Sequence, residues 1–158
     1  MMAKNKKDKK KSRRIAKEKR HLAEVAAEKY WQSLGCMTRR AVRARYAKVD
    51  LFHADVVGKH AVFTAWTQVT TAQSGGCIRK RRRNLETVPW LATDRVLVFE
   101  WRETEDPLQR GHLLYFFRVH EYAVVGGGKR DWLVWKKAIP VPREWLKARR
   151  TVGVDDVP

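Results

Sequence analysis

Acidic residues are scarce in this 158-residue chain: 17 Asp plus Glu stand against 35 Lys plus Arg, a formal charge of +18. Such a deficit excludes the charge balance of an ordinary soluble domain and predicts a polyanionic partner, nucleic acid first. Cysteine is almost absent too. Cys36 and Cys77 form no C-x-x-C unit, and with five scattered histidines they give no tetrahedral zinc pattern, so both are expected as buried thiols. No apolar run reaches the roughly 18 residues that a membrane span needs, which argues against a membrane partner. The lysine-rich start also lacks the apolar centre of a signal peptide. The expected location is the cytoplasm, nucleoid-associated or virus-encoded. Internal repeats are lacking as well. What the chain does have is core material, 44% hydrophobic residues, enough for one domain of this length.

Residues 1–20, MMAKNKKDKKKSRRIAKEKR, hold eleven Lys or Arg and two acids, half of the net charge. Residues 1–11 offer nothing to bury and are expected as a disordered basic tail, with 12–158 forming a single domain. The tail would make sequence-independent phosphate contacts through counterion release. Ser12 can cap a helix whose Ile15, Leu22, Val25 and Ala26 recur at helical spacing, and Gly35 is a natural stop.

After Gly35 the pattern changes to short β-branched and aromatic segments: 36–42, 49–57, 62–70, 95–101, 113–122 and 132–139. Between the third and fourth, IRKRRRNLETVPWLA reads as a basic helix or loop turned near Pro89. PREWLKARR reads as a short C-terminal helix, and TEDPLQRGH and GGGKRD as turns. The expected fold is α/β, a central mixed β-sheet flanked by helices.

The stretch VDLFHADVVGKHAVFTAWTQVTT, residues 49–71, places acids and a glutamine inside apolar strands. A buried acid must be paired, hydrogen-bonded or bound to a cation to offset its desolvation. Asp55 lies thirteen residues before Gln68, and Gly58, Lys59 and His60 between them signal a hairpin, so the two face each other given a small bend or bulge in register. Gln68 and Thr70, two apart, share one face. Converging carboxylate and amide oxygens are ligands of the kind that Mg2+ or Mn2+ takes.

In sequence order the chain shows a helix with Glu24, then Gly35 eleven residues on, a strand with Arg40 five further, the pair Ala54-Asp55, a hairpin, and Gln68-Val69-Thr70. This order resembles that of the PD-(D/E)xK nuclease superfamily, and within it the archaeal-type Holliday junction resolvases, over about residues 4–71. The resemblance implies a restriction-endonuclease-like fold and a homodimer acting on branched DNA. It also implies catalytic positions at Glu24, Asp55, Gln68 and Thr70. A divalent metal would be bound by Glu24, Asp55, Gln68 and the main-chain carbonyl of Val69. Gln68 stands where those enzymes carry a carboxylate, and Thr70 where they carry lysine. The glutamine keeps an oxygen ligand but drops a charge from the metal site; the threonine can orient a water but supplies no cation. Asp50, His53 and Glu28 are further candidates for the metal site, and each also has an ordinary structural role open to it.

Arg39, Arg40 and Arg43 precede this site and would meet a phosphate backbone. The run Arg79, Lys80, Arg81, Arg82, Arg83 is five adjacent cations, which repel one another unless an anion is near. The expected activity is metal-dependent, structure-selective cleavage of four-way junctions with no small-molecule cofactor. The alternative is a nucleic-acid-binding protein on the same fold whose site has lost the charge that chemistry needs. The apolar segments 113–117 and 132–135 are candidates for a self-complementary interface.

Overall fold

Two helices pack on opposite faces of a sheet whose strands run in both directions. A computed structural model describes residues 6–41, 51–71 and 75–146. Their elements are α1 (Lys6–Ser33), β1 (Met37–Arg40), β2 (Val56–Lys59), β3 (Thr64–Thr70), α2 (Gly75–Glu86), β4 (Asp94–Glu105), β5 (Leu113–Gly126), β6 (Lys129–Val134), β7 (Ile139–Val141) and α3 (Arg143–Leu146). The strands form one sheet in the order β1-β2-β3-β4-β5-β6, with β7 also on β5. β3 and β4 are parallel, with α2 in the connection between them, and the other pairs are antiparallel. The mixed α/β sheet with helices read from the sequence is therefore present.

Alternation along the strands divides the core. Leu97, Phe99, Trp101, Phe117 and Val119 pack with Ala23, Ala26, Ala27 and Trp31 of α1, while Val96 and Val98 pack with Leu85 of α2. The alanines let α1 lie close to β1, β2 and β3. Gly58 serves the same approach: a Cβ there would come within 3.2 Å of Trp31. That is why Gly58, read as a turn signal, sits inside β2 and the hairpin loop falls at residues 60–63 instead.

Several boundaries differ from expectation for identifiable reasons. α1 is already helical at Lys6, ahead of the cap expected at Ser12, so residues 6–11 of the expected disordered tail are helix. Lysine is a good helix former, and Asp8 in the first turn complements the dipole. Residues 1–5 lie outside the described residues. The expected apolar stripe is also shifted: Ile15 is exposed, and the buried face is Ala23, Ala26, Ala27 and Trp31. Every side chain from Lys6 to Glu18 is exposed, so the first half of this roughly 42 Å helix extends past the sheet. At its end Gly35, at φ +85°, closes α1, with its N–H donating to the Gln32 carbonyl and Cys36 N–H to that of Trp31.

The second strand begins at Val56, and residues 51–54 instead make a tight turn in which Ala54 N–H donates to the Leu51 carbonyl. Both central residues are left-handed, Phe52 at φ 50° and His53 at φ 66°. The segment expected as one strand over 132–139 is two, β6 and β7, and the GGGKRD turn shortens to Gly127 and Gly128 with Lys129 already in β6. Neither cysteine is in a disulfide. Cys36 is buried as expected, with its thiol pushed up by that burial, but Cys77 is exposed in the first turn of α2, where the apolar packing does not reach.

Candidate functional site

The β2–β3 ladder runs from Lys59 opposite Thr64 to Val56 opposite Thr67. Asp55 lies one residue beyond it, at a bend in the chain. Its N–H donates to the carbonyl of Thr67, the residue that Val56 already faces, at 2.9 Å. Two residues thus oppose one, the local departure from register that a β-bulge makes. The Asp55 carboxylate then takes over from the ladder: Oδ2 accepts from Val69 N–H at 2.8 Å. N–H and C=O of one strand residue point to the same edge, so the Val69 carbonyl lies on the Asp55 side of β3. Asp55 is 1% exposed.

Gln68 and Thr70 face the other way from Thr67 and Val69. Thr67 Oγ1 accepts from Trp31 Nε1 of α1 at 2.9 Å and Val69 belongs to the α1-side core, so Gln68 and Thr70 face the layer of α2. Their neighbours across the parallel ladder are Val98 and Glu100. Gln68 is 7% exposed, and its Oε1 is a buried acceptor without a hydrogen-bond partner among the described residues.

Glu24, on α1, lines a cleft of about 490 Å3 with Lys17, Arg20, His21, Glu28 and Arg40. Glu28 pairs with Arg40 of β1 at 3.5 Å, rather than with a lysine one turn away on its own helix. Ala41, also in this cleft, donates its N–H to the Asp55 carbonyl at 2.8 Å, which puts the Asp55 backbone beside the Glu24 cleft. The structure therefore brings Asp55 to Val69 by a direct bond and sets Glu24 nearby. It puts the Gln68 and Thr70 side chains on the opposite layer from the helix that carries Glu24. Among the described residues no group of three or more His, Cys, Asp or Glu is arranged to hold a metal ion. Asp50 and Arg43 lie outside the described residues.

The basic residues divide. Arg39, Arg79, Lys80 and Arg83 are exposed, and Arg40 is half-buried against Glu28. Arg81 and Arg82 are half-buried, and Arg82 is occupied: its guanidinium contacts His120 Nδ1 and lies over the Trp132 ring at 5.1 Å.

His120 belongs to a buried polar cluster that the sequence reading missed. Its Nε2 is 3.0 Å from Oε2 of the fully buried Glu100, whose Oε1 is 2.8 Å from Arg102 as an ion pair without hydrogen-bond alignment. An arginine can only donate. Nδ1 must therefore accept, Nε2 carries the proton toward Glu100, and the imidazole is neutral. Consistent with this, burial pushes His120 below its ordinary 6.5; the cations Arg82 and Arg118 act in the same direction, while the Glu100 bond opposes them. The signal was legible: an acid within VLVFEW is the same anomaly as Asp55 between apolar strands.

No protein-family model and no curated protein matches the chain.

Proposed function

We propose that the chain is a metal-dependent, structure-selective DNA endonuclease that resolves four-way junctions by paired phosphodiester hydrolysis on a restriction-endonuclease-like sheet. The observation that carries this reading is Gln68 Oε1, a buried acceptor lacking a donor among the described residues, next to the peptide that binds Asp55. Such an acceptor costs about 1–3 kcal/mol. A divalent cation beside a carboxylate is the ligand chemistry that relieves it. The order of elements also supports the reading: a helix with Glu24, the Gly35 closure, a strand ending at Arg40, Asp55 ahead of a hairpin, and Gln68–Thr70 on the third strand.

Asp55, Gln68 and the Val69 carbonyl would hold Mg2+ or Mn2+, with Glu24 approaching from its cleft. The bound cation supplies Lewis-acid polarisation of the scissile phosphate. Asp55 brings the negative charge of this set and Gln68 an oxygen without charge. The Thr70 hydroxyl orients the attacking water. Arg39, Arg40 and Arg43 before the site, with Arg79, Lys80, Arg81 and Arg83 on α2, hold the phosphate backbone. The DNA is branched, the working unit is a homodimer with two sites related by a two-fold axis, and the place of action is the cytoplasm, for a nucleoid-associated or virus-encoded enzyme.

The near-complete burial of Asp55, Gln68 and Thr70, and the opposite layers of Glu24 and Gln68, favour a second reading: a nucleic-acid-binding protein on the same fold with a degenerate site. Labelled four-way junction, duplex and RNA, incubated with and without Mg2+ or Mn2+, separate the two. Cation-dependent cleavage of the junction alone is the expected result. Tight junction binding with no product over hours gives the lead to the second reading, and no binding to any of the three removes both.

A further inference from the structure

We infer that the sheet face opposite α1, between Phe52 and Trp66, is a stacking platform for unpaired bases of a nucleic-acid strand. This rests on the nucleic-acid-binding part of the reading above and goes beyond it by adding a ligand feature, unpaired bases, that the paired arms of a four-way junction do not offer. Arg39, Val57 and Trp66 are lateral neighbours on β1, β2 and β3, as are Met37, Lys59 and Thr64 one row along. Together with the 51–54 turn they enclose an apolar cleft of about 360 Å3, lined by Met37, Arg39, Phe52, Val57, Lys59 and Trp66. Among the described residues α2 packs on β4 rather than on this part of the face.

Three features point to a ligand rather than to an idle surface. First, Phe52 is 62% exposed and Met37 81%, although both are large apolar side chains. Phe52 is displayed by a turn whose two central residues are both left-handed, a conformation that non-glycine residues adopt at a cost and that clusters at binding sites. Second, the rings are held in place. Phe52 meets Trp66 in a T-shape at 5.5 Å and 76°, a contact that uses an edge or one face of Phe52 and leaves at least one face open. Trp66 meets Trp90 at 5.5 Å, and each indole N–H is tied down, Trp66 to Asp94 at 3.1 Å and Trp90 to the Leu85 carbonyl at 2.7 Å. A platform already ordered loses little freedom on binding. Third, the rim is cationic, with Arg39 and Lys59 exposed on a chain of charge +18. An unpaired base offers a π-face to a ring and is tethered to phosphates that suit those cations. A paired base has its faces covered by its neighbours, so duplex would gain nothing from the ring.

The test compares wild type, Phe52→Ala and Phe52→Tyr, all as the full chain, by fluorescence titration. The ligands are a single-stranded oligothymidylate, a fully paired duplex of the same length, and vesicles containing phosphatidylserine. Phe52→Ala should lose about tenfold or more in affinity for oligothymidylate and keep its affinity for duplex, which also reports that the variant is folded. Phe52→Tyr keeps the ring and should stay within about twofold of wild type on both. Unchanged oligothymidylate binding by Phe52→Ala overturns the platform but leaves the nucleic-acid reading standing. Equal losses on both DNA forms overturn it as well, since phosphate contacts or folding would then be at fault. Loss of vesicle binding alone assigns the patch to a membrane surface instead, and a wild-type chain that binds neither DNA overturns both readings.

Discussion

Asp55 and His120 are buried polar side chains with opposite demands. In the proposed nuclease, Asp55 must stay charged to hold a cation. Asp55→Asn should therefore lower Mg2+- or Mn2+-dependent cleavage by on the order of a hundredfold or more, since even residues that only support metal ligands cost about 10- to 100-fold. Junction binding should hold or tighten slightly, because a carboxylate that repels phosphate is gone; gel-shift and cleavage assays on one preparation report both. Gln68→Glu returns the missing charge and should keep or raise the cleavage rate; a Gln68→Glu protein with weaker metal dependence would sink the alignment of this strand with the resolvases. His120, by contrast, is held neutral by burial first and by Arg82 and Arg118 next. A depressed histidine binds fewer protons folded than unfolded, so its contribution is whole above the ordinary 6.5 and is lost as the pH falls below it. Unfolding free energies from urea melts should fall between about pH 7.5 and about pH 5, by up to about 1.4 kcal/mol per pH unit from this group. His120→Gln should flatten that limb, and parallel curves for the two proteins would remove His120 as its source.

Among the elements, α1 and α2 carry most of the readable charge and use it differently. The first turns of α1 are exposed on all sides, so deleting residues 1–11 removes cations without touching Ala23, Ala26, Ala27 or Trp31 in the core. The truncated chain should bind all nucleic acids more weakly and show a shallower dependence of log affinity on log salt, by about one unit for each phosphate that the segment neutralises in the full chain. An unchanged slope would make the segment merely solubilising. α2 is a run of cations with one arginine turned inward, and Arg82 ties the helix to His120 on β5 and to the Trp132 ring on β6. The density of the run is plain in the sequence. Which arginine turns inward is not, because that depends on the parallel β3–β4 connection placing α2 over a buried histidine 38 residues away in the chain.

Over the whole molecule, β5 and β6 expose a set of large apolar side chains, Leu113, Leu114, Val124 and Val125 on β5 and Leu133 and Val134 on β6. Trp132 and Trp135, proposed from the sequence as interface residues, are partly buried against the chain's own core. A symmetric pair of nicks needs two sites, so light scattering at micromolar concentration should give twice the 18.5 kDa of one chain. A single-chain mass at that concentration removes paired cleavage while leaving nucleic-acid binding untouched.

Composition and periodicity by themselves determined the α/β class, the mixed sheet, the two basic segments and the oddity of Asp55 and Gln68 among apolar neighbours, because each of these is a local property of side-chain type and spacing. Tertiary structure decided the rest. Gly58 reads as a turn and is a strand residue because Trp31, twenty-seven positions earlier, needs the room. Ile15 reads as core and is exposed because α1 outruns the sheet. Glu24 and Gln68 share a motif spacing yet belong to opposite layers, since strand alternation turns Gln68 away from the face on which α1 packs, and Glu100, an acid within an apolar run, meets its partner His120 only because β5 pairs with β4.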